Sequence, residues 1–471
     1  MIPAPTALEL SAPVMKKLLE QVTEKIIHHI ETLPQQPAAD TTGGAELAKK
    51  LSEQWPTTGH SFEELLELLF EEAVPKSFNA AGPSYLAYIP GGGLFHAALG
   101  DLIANACNRY TGVWAAAPAL VQLEVNVIRW FCELVGYPKQ SLGFLTSGGS
   151  LATLSAVTTA RCERLPENFL NGVVYTSDQS HHSVKKAAFL AGFPQKHIRE
   201  IPSDDYFRIC TQTLQKQIQQ DRDAGLQPFL IVGNAGTTNT GAVDDLHALA
   251  DLSQREDMWL HVDAAYGGFF MLTDHGRKKL SGLERADSIT LDPHKGLFLP
   301  YGTGALIVRD GNTLKRTHSM DADYLPMMQE DFERVDFCAI SPELSRDYRG
   351  LRVWLPLKLH GFEVFAEYLE EKLQLAQWIT QKLREIENIE IVAEPELSLL
   401  AFRLRQPDWS QEESNRKNLQ FLERINAKQR VWLTGTYLDG HFVIRICVLC
   451  FRTHFERMQS ALEDILSALE A

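Results

Sequence analysis

The sequence has little of three features that would place a protein in a specialised class. Seven of 471 residues are cysteine, an odd and sparse set that argues against a disulfide framework and fits a reducing cytoplasm. No apolar run is long enough to span a membrane, and residues 1–30 lack the pattern of a signal peptide. The 45 Lys and Arg are outnumbered by 60 Asp and Glu, and the net charge of −15 argues against nucleic acid or an anionic membrane as main partner.

Two kinds of motif are also missing. The glycines at 91–93 lack the G-x-G-x-x-G spacing after a strand, which disfavours a nicotinamide-dependent oxidoreductase. No His, Cys, Asp and Glu cluster has metal-ligand spacing, so we expect no metal site. What the chain does have is 45% hydrophobic and 22% charged residues, a balance that allows large cores in more than one structural unit.

The middle of the chain alternates between short apolar runs and helical segments. Helical periodicity separates the runs, which indicates an α/β fold with a mainly parallel sheet covered on both faces. In such a sheet ligands bind beyond the carboxyl ends of the strands. Strand-like runs lie at 172–176, 228–234, 258–262, 288–291 and 305–308, and helical segments at 119–135, 150–164, 183–191 and 244–255.

The two ends of the chain have other patterns. Residues 11–33 and a segment with Ser61 as predicted N-cap form helices whose apolar faces need a partner, either the rest of the chain or another subunit. A long helix after Pro356, short strands and a tight turn at 438–440 predict a smaller α/β unit with mixed or antiparallel strands. We expect an arm at 1–82, a large domain at 83–355 and a small C-terminal domain at 356–471.

Two strand exits carry an acid and an amine that fit one cofactor. Asp263 ends one apolar run and is followed by Ala265 and other small residues that let a flat group lie close. Lys295 comes after another run, where burial can lower its pKa and prepare it for Schiff-base formation. A helix-capping Asp and a surface lysine are the ordinary alternatives. The pairing favours pyridoxal phosphate, which needs a lysine for its aldehyde and a carboxylate for its ring nitrogen.

A third segment offers the anion site that such a cofactor needs. Gly148, Gly149 and Ser150 open a predicted helix, where glycines let backbone amides approach and the helix N-terminus favours an anion. A tight turn with Ser150 as N-cap is the alternative. His181 follows another strand, where it can stack on a flat ring or cap the helix that starts near Ser183.

Together these motifs resemble the group II pyridoxal-phosphate-dependent amino acid decarboxylases, the aromatic-L-amino-acid and glutamate decarboxylase family. The resemblance covers about residues 83–452 and is most specific in His261-Val262-Asp263-Ala264-Ala265-Tyr266 and Pro293-His294-Lys295. It implies pyridoxal 5′-phosphate and fold type I, like aspartate aminotransferase, with a mainly parallel seven-stranded sheet, a helical N-terminal arm and a small C-terminal α/β domain. It also implies a homodimer with a shared active site, in which the helical N-terminal arm wraps the partner subunit.

The resemblance assigns roles to single residues. It implies that Lys295 forms the Schiff base, Asp263 pairs with the pyridinium nitrogen and His181 stacks over the ring. Tyr324 resembles the loop tyrosine that protonates the quinonoid carbon after CO₂ leaves, which favours an amine product. Further cofactor contacts are expected from Ala265, Gly148, Gly149, Ser150, Thr238 and His294, and substrate contacts from Tyr88 and Pro90.

Several positions depart from the pattern of the aromatic branch, among them Gly148 and Gly149, where that branch often has hydroxyl or Ala residues. Ala80 and Gly112 stand where bulky aromatic residues are common, and Gly91 replaces a hydroxyl residue, so the pocket either loses stacking area or gains room. Asp292 stands where Asn is usual, and an ionised carboxylate would repel a phosphate.

The resemblance therefore implies decarboxylation of an L-amino acid to its amine and CO₂, with the amino acid left open. An aldehyde synthase that couples decarboxylation to oxidative deamination, a transaminase or another carbon–carbon lyase is the alternative on the same scaffold. A catalytically silent binding subunit is disfavoured because Lys295, Asp263, His181 and Tyr324 are all present.

Overall fold

The structure is a computed structural model that describes residues 8–320 and 334–470. Tyr324, the predicted loop tyrosine, lies outside the described residues. Within the described ranges, no helix combines the length and the apolar composition that crossing a bilayer requires.

The N-terminal arm consists of helices joined by extended loops. The capping box predicted at Ser61 is confirmed, because Ser61 Oγ accepts from the Glu64 amide at 3.2 Å and Glu64 Oε2 accepts from the Ser61 amide at 3.0 Å. The first helix buries no residue against the rest of the chain. The arm helices are α1 (Ala12–Thr32), α2 (Gly44–Lys50) and α3 (Phe62–Glu67).

Seven strands form the main sheet, and the predicted mainly parallel arrangement is confirmed. The strands are β1 (Leu142–Thr146), β2 (Gly172–Ser177), β3 (Ile198–Ile201), β4 (Gln227–Asn234), β5 (Trp259–Asp263), β6 (Ser288–Leu291) and β7 (Gly304–Val308). Their order is β1-β7-β6-β5-β4-β2-β3. Strand β7 runs antiparallel to both β1 and β6, and the other neighbouring pairs are parallel.

The sheet is buried on both faces because alternate side chains of its strands enter two different cores. Val173 and Tyr175 of β2 enter one core, and Val174 enters the other. Helices cover both faces, and the predicted helices at 119–135, 150–164, 183–191 and 244–255 are confirmed to within two residues. The helices of this region are α4 (Phe95–Cys107), α5 (Pro118–Leu134), α6 (Gly149–Arg164), α7 (His182–Leu190), α8 (Thr211–Asp223), α9 (Leu246–Arg255), α10 (Asp274–Lys279), α11 (Pro293–Gly296), α12 (Asn312–His318) and α13 (Phe337–Ile340).

The C-terminal region forms a second sheet of four strands, in the order β10-β11-β9-β8, with every neighbouring pair antiparallel. The predicted tight turn joins β10 to β11 through Asp439 and Gly440, which have φ of +49° and +78°. The elements are α14 (Gly350–Arg384), β8 (Ile389–Ala393), β9 (Leu399–Leu404), α15 (Gln411–Asn426), β10 (Thr434–Leu438), β11 (His441–Cys447) and α16 (Phe455–Leu469).

The helical segment α14 corrects one expectation. The sequence predicts a helix that begins after Pro356, but helical structure begins at Gly350 and the break lies at Gly361, where φ is +72°. Pro356 lies inside this helical segment and is buried there, although proline removes a backbone hydrogen bond. The predicted domain boundary at 355/356 falls inside this segment, and the division of the chain into an arm and two domains stays a prediction.

Candidate active site

A cavity of about 270 Å³ lies where the carboxyl ends of the parallel strands meet. Ser147 and the start of α6 follow β1, His181 follows β2, and Asp263 ends β5. Nine predicted cofactor or catalytic residues line this single cavity: Gly148, Gly149, Ser150, His181, Thr238, Asp263, Ala265, His294 and Lys295. The chain therefore brings together the amine, the acid and the glycine-rich helix start that the sequence singled out.

Lys295 lies in the short helix α11, directly after β6. Its Nζ is 3.0 Å from Asp292 Oδ2. Burial lowers the pKa of the ammonium, but the carboxylates of Asp292 and Asp263 outweigh this effect, so the pKa of Lys295 is raised above its ordinary value. The expectation of a lowered pKa for Lys295 is therefore wrong, because it considered burial without the two neighbouring acids.

Asp263 is the last residue of β5, and its Oδ1 accepts a hydrogen bond of 3.1 Å from the Ala265 amide. This bond orients the carboxylate at the strand exit. Asp263 raises the pKa of both Lys295 and His181 through its charge, which indicates that all three groups share one electrostatic environment.

His181 is confirmed as a helix cap, and its stacking over a flat ring stays a prediction. It is the N-cap of α7, where its Nδ1 accepts from the Ser183 amide at 3.3 Å and lies 2.7 Å from Ser183 Oγ. Burial lowers the pKa of His181, and Asp263 opposes this only in part, so the neutral ring is favoured. Because Nδ1 accepts from a backbone amide, the ring proton is assigned to Nε2. The same ring lines the cavity.

The start of α6 forms a cradle made of backbone. The N-cap is Gly148, not Ser150, so the alternative of a serine cap is wrong, and no side-chain cap hydrogen bond forms here among the described residues. Gly148 has φ of +152°, a conformation that favours glycine. A Cβ at Gly149 would lie 3.0 Å from Asp292 Oδ2 and 3.4 Å from Ala265 Cβ. Free amides at the start of a 16-residue helix make an anion site.

Tyr88 and Pro90 do not line this cavity. Tyr88 has φ of +52° and is exposed, and Pro90 is buried. The Tyr88 ring stacks on Tyr85, with ring centroids 6.5 Å apart. Their contact with a substrate stays a prediction.

Arg445 of β11 is a residue that the sequence analysis missed. Its guanidinium is buried and donates to the carbonyl oxygens of Tyr88, Thr238 and Asn239 and to Thr434 Oγ1. It thus joins the Tyr88 segment to the Thr238 loop at the cavity. The signal was available, because a lone arginine in the apolar run of β11 requires a polar partner.

Asp244 is a second missed residue, and it supports the exit of β4. Its carboxylate accepts from the amides of Asn234 and Ile209, at 2.7 and 2.8 Å, and from Asn234 Nδ2 at 2.9 Å. Burial raises the pKa of Asp244 to about 6, against these hydrogen bonds. These hydrogen bonds to Asp244 fix the backbone immediately before the Thr238 loop.

A larger cavity of about 570 Å³ lies between the arm and the segments around Gly91 and Tyr301. It contains neither Lys295 nor Asp263 among its lining residues. Among the described residues, no group of three or more His, Cys, Asp or Glu side chains is arranged to hold a metal ion.

The smaller cavity fits pyridoxal phosphate. Lys295 offers an amine for the aldehyde, Asp263 a carboxylate for the ring nitrogen, and the amides of Gly149 and Ser150 a site for the phosphate. Sheet, cavity and donor set together define a fold type I enzyme that uses this cofactor.

Comparison with known proteins identifies the family. Residues 45–405 match the model of the pyridoxal-dependent decarboxylase conserved domain. The chain is also 35% identical over 465 residues to aromatic-L-amino-acid decarboxylase of Bacillus atrophaeus, which covers 98% of this chain and 97% of that one. The chain belongs to the pyridoxal-dependent decarboxylase family, whose members are carboxy-lyases acting on amino acids with pyridoxal phosphate as cofactor.

Solved structures agree with this assignment. The crystal structure of Oryza sativa TDC with PLP and tryptamine superposes with a TM-score of 0.93 at 27% identity, over 98% of this chain and 99% of that chain. Rhodiola rosea 4-hydroxyphenylacetaldehyde synthase superposes with a TM-score of 0.90 at 25% identity, over the same shares of the two chains. The expected fold type I architecture is confirmed.

Proposed function

We propose that this chain converts an aromatic L-amino acid to its amine and CO₂, with Lys295, Asp263 and His181 at the reacting centre. The observation that carries the assignment of residues is their position on one cavity together with the α6 amide cradle. The similarity to aromatic-L-amino-acid decarboxylase of Bacillus atrophaeus over nearly the whole length supports the aromatic substrate.

Each residue has a separate task in this proposal. When bound, pyridoxal phosphate supplies an aldehyde that reacts with amines and a ring that accepts the electron pair left by CO₂. Lys295 holds the cofactor through its amine, which must first lose the proton that Asp292 and Asp263 stabilise. Asp263 keeps the ring nitrogen protonated. His181, oriented by Ser183, presents its neutral ring to the cavity.

Aromatic rings occupy the space next to two of the positions that depart from the aromatic branch. A Cβ at Gly112 would lie 2.7 Å from the Tyr110 hydroxyl, and a Cβ at Gly91 would lie 3.1 Å from the Tyr301 ring. The Gly91 amide also donates to the Tyr301 hydroxyl at 3.3 Å. Tyr110 and Tyr301 therefore fill space that side chains at 112 and 91 would need.

The presence of Tyr324 supports an amine product over an aldehyde. A phenol can return a proton to the substrate carbon, whereas its loss leaves that carbon open to oxidation. The similarity to 4-hydroxyphenylacetaldehyde synthase makes the aldehyde the alternative to test.

The test is a panel of L-amino acids, aromatic, acidic and aliphatic, scored for CO₂, amine, aldehyde and hydrogen peroxide. We expect CO₂ and amine in equal amounts from aromatic substrates. Tyr324→Phe is expected to shift the product toward aldehyde, ammonia and peroxide while CO₂ release continues. Turnover of acidic or aliphatic amino acids alone would contradict the aromatic assignment, and aldehyde from the unmodified enzyme would contradict the product.

We also propose a homodimer in which the arm covers the partner subunit. Helix α1 is 21 residues long and buries none of them, and its Leu19 and Ile27 are 46% and 45% exposed. Exposed apolar side chains along one helix are typical of a surface that is buried against another subunit. Leu19→Asp with Ile27→Asp is expected to yield monomers in sedimentation experiments and to lower activity. Leu419→Asp, on an exposed leucine of α15, is the control that should stay dimeric.

The cytoplasm is the compartment we propose. All seven cysteines lie in the described part of the chain and each is free, which suits a reducing environment.

A further inference from the structure

Asp292 is a buried acid with an unusual set of partners. It follows β6 directly, and its side chain is 3% exposed. Oδ2 lies 3.0 Å from Lys295 Nζ and 3.6 Å from His294 Nε2. Oδ1 is buried and has no hydrogen-bond partner among the described residues. A buried oxygen without a donor is costly, which indicates that a ligand supplies its partner.

The unpartnered carboxylate faces the anion cradle. A Cβ at Gly149 would lie 3.0 Å from Asp292 Oδ2 and 3.3 Å from Oδ1, so the carboxylate packs on the first residue of α6. His294 Cε1 lies 3.6 Å from the position of a Cβ at Gly148. An acid thus forms one wall of the site that the proposed function gives to the cofactor phosphate.

The neighbouring His294 does not neutralise Asp292. His294 Nδ1 lies 2.6 Å from the Thr303 carbonyl, which can only accept, so Nδ1 carries the ring proton. Burial lowers the pKa of His294, with Asp292 opposing only in part, and a neutral His294 turns an unprotonated Nε2 toward Asp292.

Lys295 is the other cation beside Asp292, and the proposed function uses its amine for the cofactor aldehyde. Cys447 also interacts with Lys295, and burial raises the pKa of its thiol, which stays neutral. Three other titratable groups act on these residues: Asp263, His181 and Tyr301. Of these, Asp263 adds negative charge, and burial lowers the pKa of His181 and raises the pKa of Tyr301, which keeps both neutral.

We propose that Asp292 holds the cofactor phosphate by sharing one proton with it. The bound phosphate then stays a monoanion at a pH at which the free phosphate ester, with a second pKa of about 6, is a dianion. A hydroxyl on either group donates to an oxygen of the other, and Asp292 Oδ1 gains its missing partner. Two like charges in contact favour retention of a proton by the pair. This inference rests on the proposed placement of the phosphate at the start of α6.

The direct test is ³¹P NMR of the purified holoenzyme, because the phosphorus shift reports the ionisation of the phosphate. We expect the wild-type resonance to stay near the monoanion position through neutral pH. In Asp292→Asn the amide donates without a charge, and the resonance should move to the dianion position. Asp287→Asn is the matched control, since Asp287 stands at the other end of β6, where it accepts from the Leu260 amide at 2.8 Å, and its resonance should match wild type.

Cofactor affinity gives a second readout. Because the wild type must bind a proton together with the phosphate, its affinity for pyridoxal phosphate relative to Asp292→Asn should fall as pH rises, by up to about tenfold per pH unit. A wild-type resonance at the dianion position across the range would overturn the proposal, whether or not Asp292→Asn takes up cofactor. Failure of the wild type to bind pyridoxal phosphate at all would instead overturn the proposed site.

Discussion

The two ends of the parallel sheet differ in how their buried charges are satisfied. At the carboxyl end, Lys295 and Asp292 pair with each other, and Asp292 Oδ1 has no partner among the described residues. At the amino end, a cavity of about 340 Å³ is lined by several arginines and acids. There Arg164 pairs with Asp257 at 2.6 Å and Arg285 with Asp251 at 2.7 Å.

This difference shows that the volume of a cavity does not identify the active site. The amino-end cavity is the larger of the two, yet its charges pair with one another or with backbone groups. An unsatisfied buried oxygen, Oδ1 of Asp292, marks the carboxyl end instead, and our proposal gives it a ligand as its partner. Four variants, taken from the largest expected effect to the smallest, test this contrast.

Lys295→Ala removes the amine that lines the cavity at the carboxyl end of the sheet. We expect decarboxylation to fall by at least about 10³-fold, because the covalent hold on the cofactor is lost. Borohydride reduction should no longer fix the cofactor to the protein. Full turnover in this variant, measured as CO₂ release, would refute the assigned role of the lysine.

Asp263→Asn keeps the shape of the acid but removes its charge. We expect kcat to fall by about 10²–10³-fold, because an amide cannot keep the ring nitrogen protonated. Borohydride should still fix the cofactor to Lys295, which separates this defect from loss of binding. An unchanged kcat would mean that another group holds the ring proton. The control is Asp287→Asn at the amino end.

Arg445→Gln tests a residue that acts through backbone rather than on the substrate. We expect kcat/KM to fall roughly 10–100-fold, since the Tyr88 segment and the Thr238 loop lose their common donor. The kcat/KM of Arg445→Lys should lie between those of the wild type and Arg445→Gln, because lysine keeps the charge but lacks the planar guanidinium group.

Arg424→Gln is the matched control for Arg445, because Arg424 donates to the Ala468 carbonyl at 3.1 Å, away from the cavity. Far-UV circular dichroism of all variants checks the fold. Equal losses of kcat/KM at positions 424 and 445 would show that Arg445 matters for folding alone.

Arg285→Ala breaks an ion pair at the amino end, where Arg285 is 30% and Asp251 68% exposed at the side chain. We expect the free energy of unfolding to fall by less than about 1 kcal/mol, because exposed ion pairs are weak. Urea denaturation measures this effect, and kcat should be unchanged. A strong loss of kcat would mean that the contrast between the two ends is false.

Much of the sheet could be predicted from the sequence because buried parallel strands are continuous apolar runs. The apolar pattern does not predict strands β1 and β3. Strand β3 is a four-residue edge strand whose first three residues are only partly buried or exposed, so it lacks an apolar run. Strand β1 has five residues, one of them a glycine, and is buried by its neighbours rather than marked by its own pattern.

The site was predictable where several residues together fit one cofactor, although each of them alone has an ordinary alternative. Lys295, Asp263 and the glycines at 148 and 149 belong to this group. The pKa of Lys295 and the role of Arg445 were not predictable, because both depend on which distant segments come into contact. Arg445 lies 207 residues from Thr238 along the chain, and no local pattern reports that contact.

The reversed strand β7 has a consequence for the size of the ligand. Because β7 lies between β1 and β6, the loops that follow those two strands start two interstrand spacings apart, about 9–10 Å. Gly304, the first residue of β7, allows the loop after β1 to pack this closely, since a Cβ there would lie 2.5 Å from the Gly148 carbonyl carbon. The main-chain hydrogen bonds of the sheet thus set the distance between the loops that follow β1 and β6. Substitution of the side chains that line the cavity leaves this distance unchanged.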